Sequence, residues 1–332
     1  MQLLKVHGSQ NQFFILDQTE LNQQFDNEEL SQLAQKITDP DTGLLGGSDG
    51  VLVVNAPTRP GALGQMRVIN ADGSEASMCG NGLRTVARYL SEKYHQDEFD
   101  VDTLKTNLHV SKQPDLASGV PTFGVEISPV KFDQKDLPFT NLGHQRIIDQ
   151  FVPELYPGLK FTSIAVPNPH LISFTSHKVI MSDILGSLGK ALNSDNPYYY
   201  DGVNVNFAQI LGKNQLFVRT YERGVGFTNA CGTGMSATSL ALCLTHPDMG
   251  DLGKPITVYN PGGMVKVTVH YDHQHYWMDL IGNATFTDRI KISEVDLHKL
   301  DFSNVEISST GEQADYEKFV NEVPNFDSFE KI

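Results

Sequence analysis

The sequence is poor in cysteine, in basic residues and in long apolar runs. Its 332 residues include three cysteines, an odd count without the closely spaced Cys/His pairs of a zinc site, so we expect neither a disulfide framework nor a metal centre. The 25 basic and 40 acidic residues give a net charge of −15, which argues against nucleic acid or an anionic membrane as a partner. No run approaches the ~20 apolar residues of a membrane span, and no signal-peptide pattern is present. We therefore expect a cytoplasmic protein whose thiols are kept reduced.

The composition is otherwise that of a globular protein, with 39% apolar and 20% charged residues. A chain of this length can bury a sizeable core, and we expect two domains rather than one. Strand-length apolar runs dominate both halves. A helix is predicted from Asp26 or Asn27 until Pro40 stops it, and a weaker helix pattern covers 179–192. Residues 131–160 lack periodicity and indicate a connector. The acidic segment from Lys291 onward indicates a surface-packed or partly disordered appendage with a solvated acidic face.

The first of two cysteine motifs lies in residues 70–82, NADGSEASMCGNG. Apolar residues then recur at the spacing of one helix face: Leu83, Val86, Ala87 and Leu90. Cys79 is therefore predicted at the N-terminus of a helix. Free backbone N–H groups there favour an anion, and such a position lowers a thiol's pKa from its usual ~8.5.

A second motif of the same kind, Ala230-Cys231-Gly232-Thr233-Gly234, precedes another helical pattern. For either cysteine alone, a buried structural residue is the more common interpretation. Two copies in matching contexts favour two similar halves that each present one thiol. One thiolate can then remove a proton from a tetrahedral carbon while the other thiol returns a proton to the opposite face. The third cysteine, Cys243, falls within the helix pattern and is predicted to be buried and inert.

Several polar residues could serve these thiols. Glu222 and Arg223 follow a strand pattern close to the second cysteine. In isolation they would suggest a surface ion pair worth ~0–1 kcal/mol. The nearby Cys231 instead favours Arg223 as a ligand of a substrate carboxylate and Glu222 as a contact to an amine or to the proton of a thiol. His170, in a Pro-flanked turn, is a candidate base for ionising a cysteine, although a structural role is equally open. Asn11, Asn70 and Asn204 stand at turns or strand ends, where residue type alone indicates only local turn bonds.

Seven runs resemble the diaminopimelate epimerase family, in that family's order and across residues 2 to 290. They are His7-Gly8 with Asn11, the runs 70–75 (NADGSE), 79–82 (CGNG), 168–170 (NPH), 202–205 (GVNV), 221–224 (YERG) and 230–234 (ACGTG). The sequence departs from the family pattern in the turn after Gly8, at Phe227, where Glu is frequent, and in a longer connector and tail.

The resemblance implies an α/β (α+β) fold of two pseudo-symmetric domains. Each would be a curved, mostly antiparallel sheet wrapped around a central helix, with the active site in the cleft between them. The corresponding division is residues 1–128 with about 282–292, residues 129–281, and an acidic C-terminal appendage at 293–332.

It also implies a cofactor-independent isomerase that interconverts LL- and meso-2,6-diaminopimelate in lysine and peptidoglycan-precursor biosynthesis. Cys79 and Cys231 would be the acid and base, and His170 and Glu222 would set their protonation. Backbone amides of two pairs would bind the reacting α-carboxylate: Gly80-Asn81 and Gly232-Thr233. Five side chains would hold the amino groups and the distal carboxylate: Asn11, Asn70, Asn168, Asn204 and Arg223, with Glu222 as a further contact to an amine.

Three other functions compete with this one. A proline-racemase-like epimerase of another amino acid would use the same paired cysteines, but Arg223 and the asparagines favour a substrate with a second charged end. A non-catalytic amino-acid-binding protein would not need both cysteines. A thiol–disulfide oxidoreductase would show a Cys-x-x-Cys motif, which this sequence lacks. The partner is thus expected to be a small molecule, and the sequence leaves both a monomer and a homodimer open.

Overall fold

The chain forms two compact units in a computed structural model that describes residues 1–324. The first comprises Met1–Val125 with Ile281–Asn321, and the second comprises Glu126–Leu280 with residues 322–324. Within the described residues, no helix has both the length and the apolar composition needed to cross a membrane. The part of the predicted acidic appendage at 325–332 lies outside the described residues.

The first unit begins with eight strands and two helices: β1 Gln2–Gly8, β2 Asn11–Asp17, α1 Asn27–Ile37, β3 Gly50–Asn55, β4 Ala62–Asn70, β5 Glu75–Ala76, α2 Gly80–Tyr94, β6 Glu98–Asp102, β7 Asn107–Gln113 and β8 Thr122–Ile127. The second unit continues with β9 Gln150–Phe151, β10 Lys160–Ala165, β11 Pro169–Phe174, α3 His177–Met181, α4 Ile184–Leu192, β12 Asn204–Gly212, β13 Gln215–Glu222, β14 Gly226–Thr228, α5 Gly232–Thr245, β15 Pro255–Asn260, β16 Gly263–Asp272 and β17 His275–Asn283. The chain then returns to the first unit with β18 Thr285–Lys291, α6 Glu294–His298, β19 Glu306–Ser309 and α7 Glu312–Glu322.

Both units arrange their strands in the same order. In the first, β1 is antiparallel to β2, β2 is parallel to β3, β3 is antiparallel to β4, β4 is parallel to β6, and β6 is antiparallel to β7. The second unit repeats these pairings with β10, β11, β12, β13, β15 and β16. The short strands β5 and β14 pair antiparallel with β4 and β13 and lead into α2 and α5. The predicted fold, two similar halves with mostly antiparallel sheets, is confirmed.

One helix stands at the centre of each sheet. α2 contacts β1, β2, β3, β4 and β7, and α5 contacts β10, β11, β12, β13, β15 and β16. Because strands surround α5, its buried residues include nearly every position from Gly232 to Cys243, whereas the sequence spacing indicates a single apolar face. Its buried hydroxyls are satisfied within the helix, since Ser236, Thr238 and Ser239 donate to carbonyls four residues earlier at 3.0, 2.7 and 2.9 Å.

The peripheral helices partly follow the sequence patterns. Asp26 and Glu29 form the capping box of α1, and the apolar face of α1 is buried as predicted. The single helix predicted at 179–192 is wrong, because α3 and α4 are separate helices. Ser182 ends α3 in an extended conformation, and its hydroxyl donates to the Val179 carbonyl at 2.7 Å.

The connector and the tail both contribute buried side chains. Six apolar residues between 131 and 160 belong to the core of the second unit: Leu137, Phe139, Leu142, Ile147, Val152 and Leu155. In the tail, β19 pairs with β18, and α7 buries Tyr316 and Phe319. This part of the tail is therefore packed on the surface of the first unit: Tyr316 and Phe319, three residues apart, face inward, whereas every residue of β19 is exposed.

Candidate active site

Cys79 caps the central helix of the first unit. It has an extended backbone (φ −141°, ψ 111°), and its Sγ accepts a hydrogen bond of 3.3 Å from the backbone N–H of Gly82. The sulfur thus has the position that a serine or aspartate oxygen takes in an N-cap. The first N–H groups of α2, beginning at Gly80, have no intrahelical acceptor. Negative charge on the sulfur or on a bound carboxylate is therefore favoured here, as the sequence predicts.

Asn11 lies beside the Cys79 sulfur in a fixed orientation. Its Nδ2 donates to Asp49 Oδ2 at 2.7 Å, so its Oδ1 faces Cys79 Sγ at 3.6 Å and accepts from Asn81 Nδ2 at 3.3 Å. The Oδ1 of Asn81 is buried and has no hydrogen-bond partner among the described residues. This part of the site therefore offers an acceptor to the thiol and a spare buried acceptor to an amine.

A buried arginine lies within electrostatic range of Cys79. Arg84 is fully buried, its Nε donates to the Asn283 carbonyl at 3.1 Å, and its Nη2 donates to the Ser9 hydroxyl at 3.2 Å. Burial lowers the pKa of Arg84 to about 10, and the Cys79 sulfur opposes that shift. The guanidinium therefore stays charged at neutral pH, and its charge favours a thiolate at Cys79.

Asn70, the other polar residue predicted for this half, bonds within its own turn. Its Nδ2 donates to the Ser74 hydroxyl at 3.0 Å, and its backbone N–H donates to the Ser74 carbonyl at 2.8 Å. Gly73 completes the turn with a left-handed backbone (φ 85°). Asn70 thus shapes the turn that precedes Cys79, in agreement with the local turn bonds that its residue type indicates.

Cys231 occupies the equivalent position in the second unit, at the N-terminus of α5, but its environment differs. Its Sγ lies 3.7 Å from the Thr233 hydroxyl, and its thiol donates a hydrogen bond to the Glu222 carboxylate. Burial raises the pKa of the Cys231 thiol well above its usual range, and the negative charge of Glu222 raises it further. The helix N-terminus alone would lower this pKa, but burial and the carboxylate outweigh the helix.

His170 is fully buried and connects to Cys231 through Thr233. Its Nε2 lies 3.1 Å from the Thr233 hydroxyl and 3.2 Å from Asn168 Oδ1, and its Nδ1 lies 3.1 Å from Asn206 Nδ2. Burial, together with the positive charge of Arg223, lowers the pKa of His170 to about 3. The imidazole is therefore neutral.

Asn206 determines which nitrogen of that imidazole carries the proton. Its Nδ2 also faces the carbonyls of Leu171 and Asn204, at 3.4 and 3.2 Å, so this end of the amide must be the donor. The Nδ1 of His170 then accepts, and its Nε2 carries the hydrogen. In this state His170 donates toward Thr233, which differs from the predicted base that takes the proton of a thiol.

The turn after β13 brings together the remaining predicted residues. Asn204 Oδ1 accepts from the backbone N–H of Arg223 at 2.8 Å, and the Arg223 Nη1 donates to the Asp201 carbonyl at 2.9 Å. The Glu222 Oε1 accepts from the Thr228 hydroxyl at 2.6 Å. Asn204 therefore holds the backbone of the turn, and the turn presents Glu222 to Cys231.

Sequence reasoning missed three residues that shape these sites: Asp49, Arg84 and Asn206. A signal existed for two of them. Arg84 stands five residues after Cys79 inside an apolar helix pattern, and Asn206 stands two residues after Asn204, on the same face of a strand. Among the described residues, no three His, Cys, Asp or Glu side chains come together as a metal site would require.

Comparisons with known proteins identify the family of the chain. A sequence model described as diaminopimelate epimerase matches residues 3–121 and 165–287. The chain belongs to the diaminopimelate epimerase family. The diaminopimelate epimerase of Ligilactobacillus salivarius is 55% identical over 322 residues, which cover 96% of this chain and 98% of that protein. Membership makes the chain an isomerase of the amino-acid epimerase class.

Solved structures of lower similarity share the fold of this epimerase family. A phenazine biosynthesis protein of the PhzF family from Bacillus anthracis has a TM-score of 0.62 at 14% identity and covers 88% of this chain and 99% of that one. A probable proline racemase from Agrobacterium radiobacter K84 has a TM-score of 0.56 at 13% identity, with coverage of 91% and 96%. At such identities the likeness shows the two-unit architecture alone.

Proposed function

We propose that the chain interconverts LL- and meso-2,6-diaminopimelate without a cofactor and that Cys79 and Cys231 are its two acid–base groups. The observation that carries this proposal is the repeated strand order, in which each central helix begins at a cysteine. Family membership supports the substrate, and the duplicated thiols support a reaction that handles a proton on each face of one carbon.

The proton transfers follow from the two environments. With Cys79 as thiolate, its sulfur takes the α-proton, so the Cα–H bond breaks and an S–H bond forms. The thiol of Cys231 then gives its proton to the opposite face and is left as a thiolate. In the reverse conversion the Cys231 thiolate takes the α-proton and the Cys79 thiol gives its proton to the opposite face. Arg84 and the Gly82 N–H support negative charge on Cys79, whereas burial and Glu222 support a neutral Cys231.

The carbanion formed in between requires stabilisation, because no cofactor accepts its electrons. We assign this task to the free backbone N–H groups at the starts of α2 and α5, contributed by Gly80-Asn81 and Gly232-Thr233. They would bind the α-carboxylate, onto which the negative charge spreads. Fixed dipoles that need no reorganisation are among the largest sources of rate enhancement in active sites.

The substrate carries a second amino-acid end, and the polar side chains around the two cysteines suit it. Arg223 would pair with the distal carboxylate, and Glu222 would contact an amine. Four asparagines would hold amino groups or carboxylate oxygens: Asn11, Asn70, Asn168 and Asn204. Thr233 would relay the hydrogen that His170 donates toward Cys231. Because both thiols must be free for this reaction, we infer that the protein works in the reducing cytoplasm.

The test is proton NMR of the reduced protein with LL-diaminopimelate in D2O, without added cofactor or metal. We expect one α-proton signal to disappear while the meso isomer forms. Cys79→Ala and Cys231→Ala should each abolish conversion, and Cys243→Ala, which changes the remaining cysteine, should retain it. Near-native turnover by either of the first two variants would rule out the two-thiol assignment. No exchange with diaminopimelate, but exchange with proline or hydroxyproline, would favour the racemase alternative.

A further inference from the structure

The C-terminal helix α7 lies outside the residues that the family model matches, which end at 287. Its contacts with the rest of the first unit are specific. Glu312 pairs with Arg88 through two parallel bonds, from Nη1 to Oε2 at 2.6 Å and from Nη2 to Oε1 at 2.7 Å. The same carboxylate accepts from the backbone N–H of Phe286 at 2.9 Å. Because Arg88 belongs to α2, this pair fastens α7 to the helix that Cys79 caps.

A second contact of α7 reaches the start of the chain through Gln313. The Gln313 Nε2 donates to the Glu317 carboxylate at 2.9 Å, which leaves its Oε1 to accept from His7 Nε2 at 3.0 Å. The ring of Tyr316 packs edge-on against the same imidazole, with 4.5 Å between ring centroids. His7 and Tyr316 are both buried. The tail helix therefore fixes the position and the tautomer of His7.

His7 in turn holds the turn between β1 and β2. Its Nδ1 accepts from the backbone N–H of Gln10 at 3.2 Å and lies 3.3 Å from Asn283 Nδ2. The Oδ1 of Asn283 accepts from the backbone N–H of Ser9 at 2.8 Å. Ser9 and Gln10 both have left-handed backbones, with φ of 52° and 66°, which cost free energy in residues other than glycine. The turn thus depends on the side chains that bond to it.

The residue that follows this turn is Asn11, whose Oδ1 faces the Cys79 sulfur. We propose that α7 is a positioning element of the Cys79 site, acting through Gln313, His7 and the Ser9–Gln10 turn to place Asn11. The proposal rests on the function proposed for Cys79. It assigns to the acidic tail a role in the reaction, although α7 contributes no residue that touches the reacting atoms.

The experiment combines steady-state kinetics with residue-resolved alkylation of the full-length chain. Gln313→Met keeps the size of the side chain but removes the acceptor for His7. We expect kcat/KM for LL-diaminopimelate to fall about tenfold, as for loss of a buried hydrogen-bond partner. We also expect iodoacetamide to modify Cys79 at least about threefold faster, because the displaced Asn11 no longer accepts from the thiol. Cys231, which lies in the other unit, should react at an unchanged rate.

Two further full-length variants separate positioning from general stability. The double variant Gln313→Glu/Glu317→Gln retains an acceptor for His7 and keeps one donor and one acceptor between positions 313 and 317, so it should restore kcat/KM to within about twofold of the parent. Lys318→Ala, on the exposed side of the same helix, should leave kinetics and both alkylation rates unchanged. A general loss of stability would instead accelerate the labelling of both cysteines.

The proposal would be overturned if Gln313→Met had the same kcat/KM and the same rate of Cys79 alkylation as the parent protein. Should the parent itself fail to convert diaminopimelate, the proposed substrate is wrong. The alkylation rates would still decide whether α7 positions the Cys79 site.

Discussion

Asn206 Nδ2 lies 3.1 Å from His170 Nδ1, and this contact gives the buried imidazole a single neutral tautomer. The amide cannot be reversed, because the carbonyls of Leu171 and Asn204 face the same nitrogen and can only accept. The proton on Nε2 is then directed at Thr233 and Asn168. Asn206 thereby determines that His170 directs an N–H group, and not a lone pair, at Thr233 beside Cys231.

Replacing Asn206 with leucine should release this control. In Asn206→Leu, the Nδ1 of His170 loses its donor, so we expect a mixture of tautomers and a fall in kcat of about tenfold. Nitrogen NMR of histidine-labelled protein distinguishes the two tautomers directly. Thr220→Val, which removes only the hydroxyl that donates to Asn206 Oδ1, should keep the parent tautomer. A parent protein that carries the proton on Nδ1 would contradict the assignment.

Glu222→Gln should make the Cys231 thiolate easier to form. The carboxylate raises the pKa of this thiol both by its charge and as a hydrogen-bond acceptor, so removal of the charge lowers the pKa. We expect the pH dependence of Cys231 alkylation to move about one unit or more toward lower pH. Glu154→Gln, an exposed carboxylate of the same unit, serves as the matched control and should not move the curve. An unshifted curve in Glu222→Gln would show that burial alone sets this pKa.

Arg84→Met should make Cys79 less reactive. Without the buried guanidinium, the thiolate loses its nearby positive charge, and alkylation at pH 7.5 should slow by about tenfold, the effect of ~1.4 kcal/mol. Arg84→Lys keeps a positive charge and should recover part of the rate. Equal rates in the parent and in Arg84→Met would indicate that the helix N-terminus alone supports the charge on Cys79.

The free energy of unfolding should decrease as the pH falls below neutrality. Burial lowers the pKa of His7 to about 4 and that of His170 to about 3, from an ordinary value of 6.5. Between those values and 6.5 the unfolded chain binds more protons than the folded one, so acid favours unfolding. Each histidine should contribute roughly 1.4 kcal/mol per pH unit below 6.5. Urea titrations at pH 7, 6 and 5 measure this loss.

Substituted histidines test which side chains cause that pH dependence. His170→Gln should reduce the pH dependence of the unfolding free energy by the contribution of one histidine. His273→Gln should not reduce it, because the His273 side chain is 87% exposed. A parent protein with the same unfolding free energy at pH 7 and pH 5 would contradict neutral burial of both histidines.

The thiol-bearing helices could be predicted because their signals are local. A cysteine followed by a glycine-rich turn and apolar residues at helical spacing specifies an N-terminus within a few residues. The partners of each thiol were harder to find. His170 meets Asn206 only because β11 pairs parallel with β12 in the register that opposes His170 to Asn204. Spacing along one strand cannot reveal the register between two strands.

The tail shows the same limit in another form. Glu312 is one acidic residue among many in the sequence, and its partner Arg88 is 224 positions away. A count of charges therefore suggests a solvated surface, although the fold brings the two residues together. The all-round burial of α5 was missed for a related reason, since a helix pattern does not show how far a sheet will curve around it.

The duplicated strand order has a kinetic consequence. It gives Cys79 and Cys231 equivalent backbone positions, but the charged group near Cys79 is the Arg84 guanidinium and the one near Cys231 is the Glu222 carboxylate. If the two thiols share one proton as proposed, the empty enzyme has two proton isomers, and the form with charged Cys79 and neutral Cys231 is the more stable. When Cys79 acts as the base, turnover ends in the less stable isomer, which returns spontaneously to the more stable one. Turnover in the other direction ends in the more stable isomer and must return to the less stable one. Where this return is the slowest step at saturation, the substrate isomer that binds the resting form is converted with the higher limiting rate.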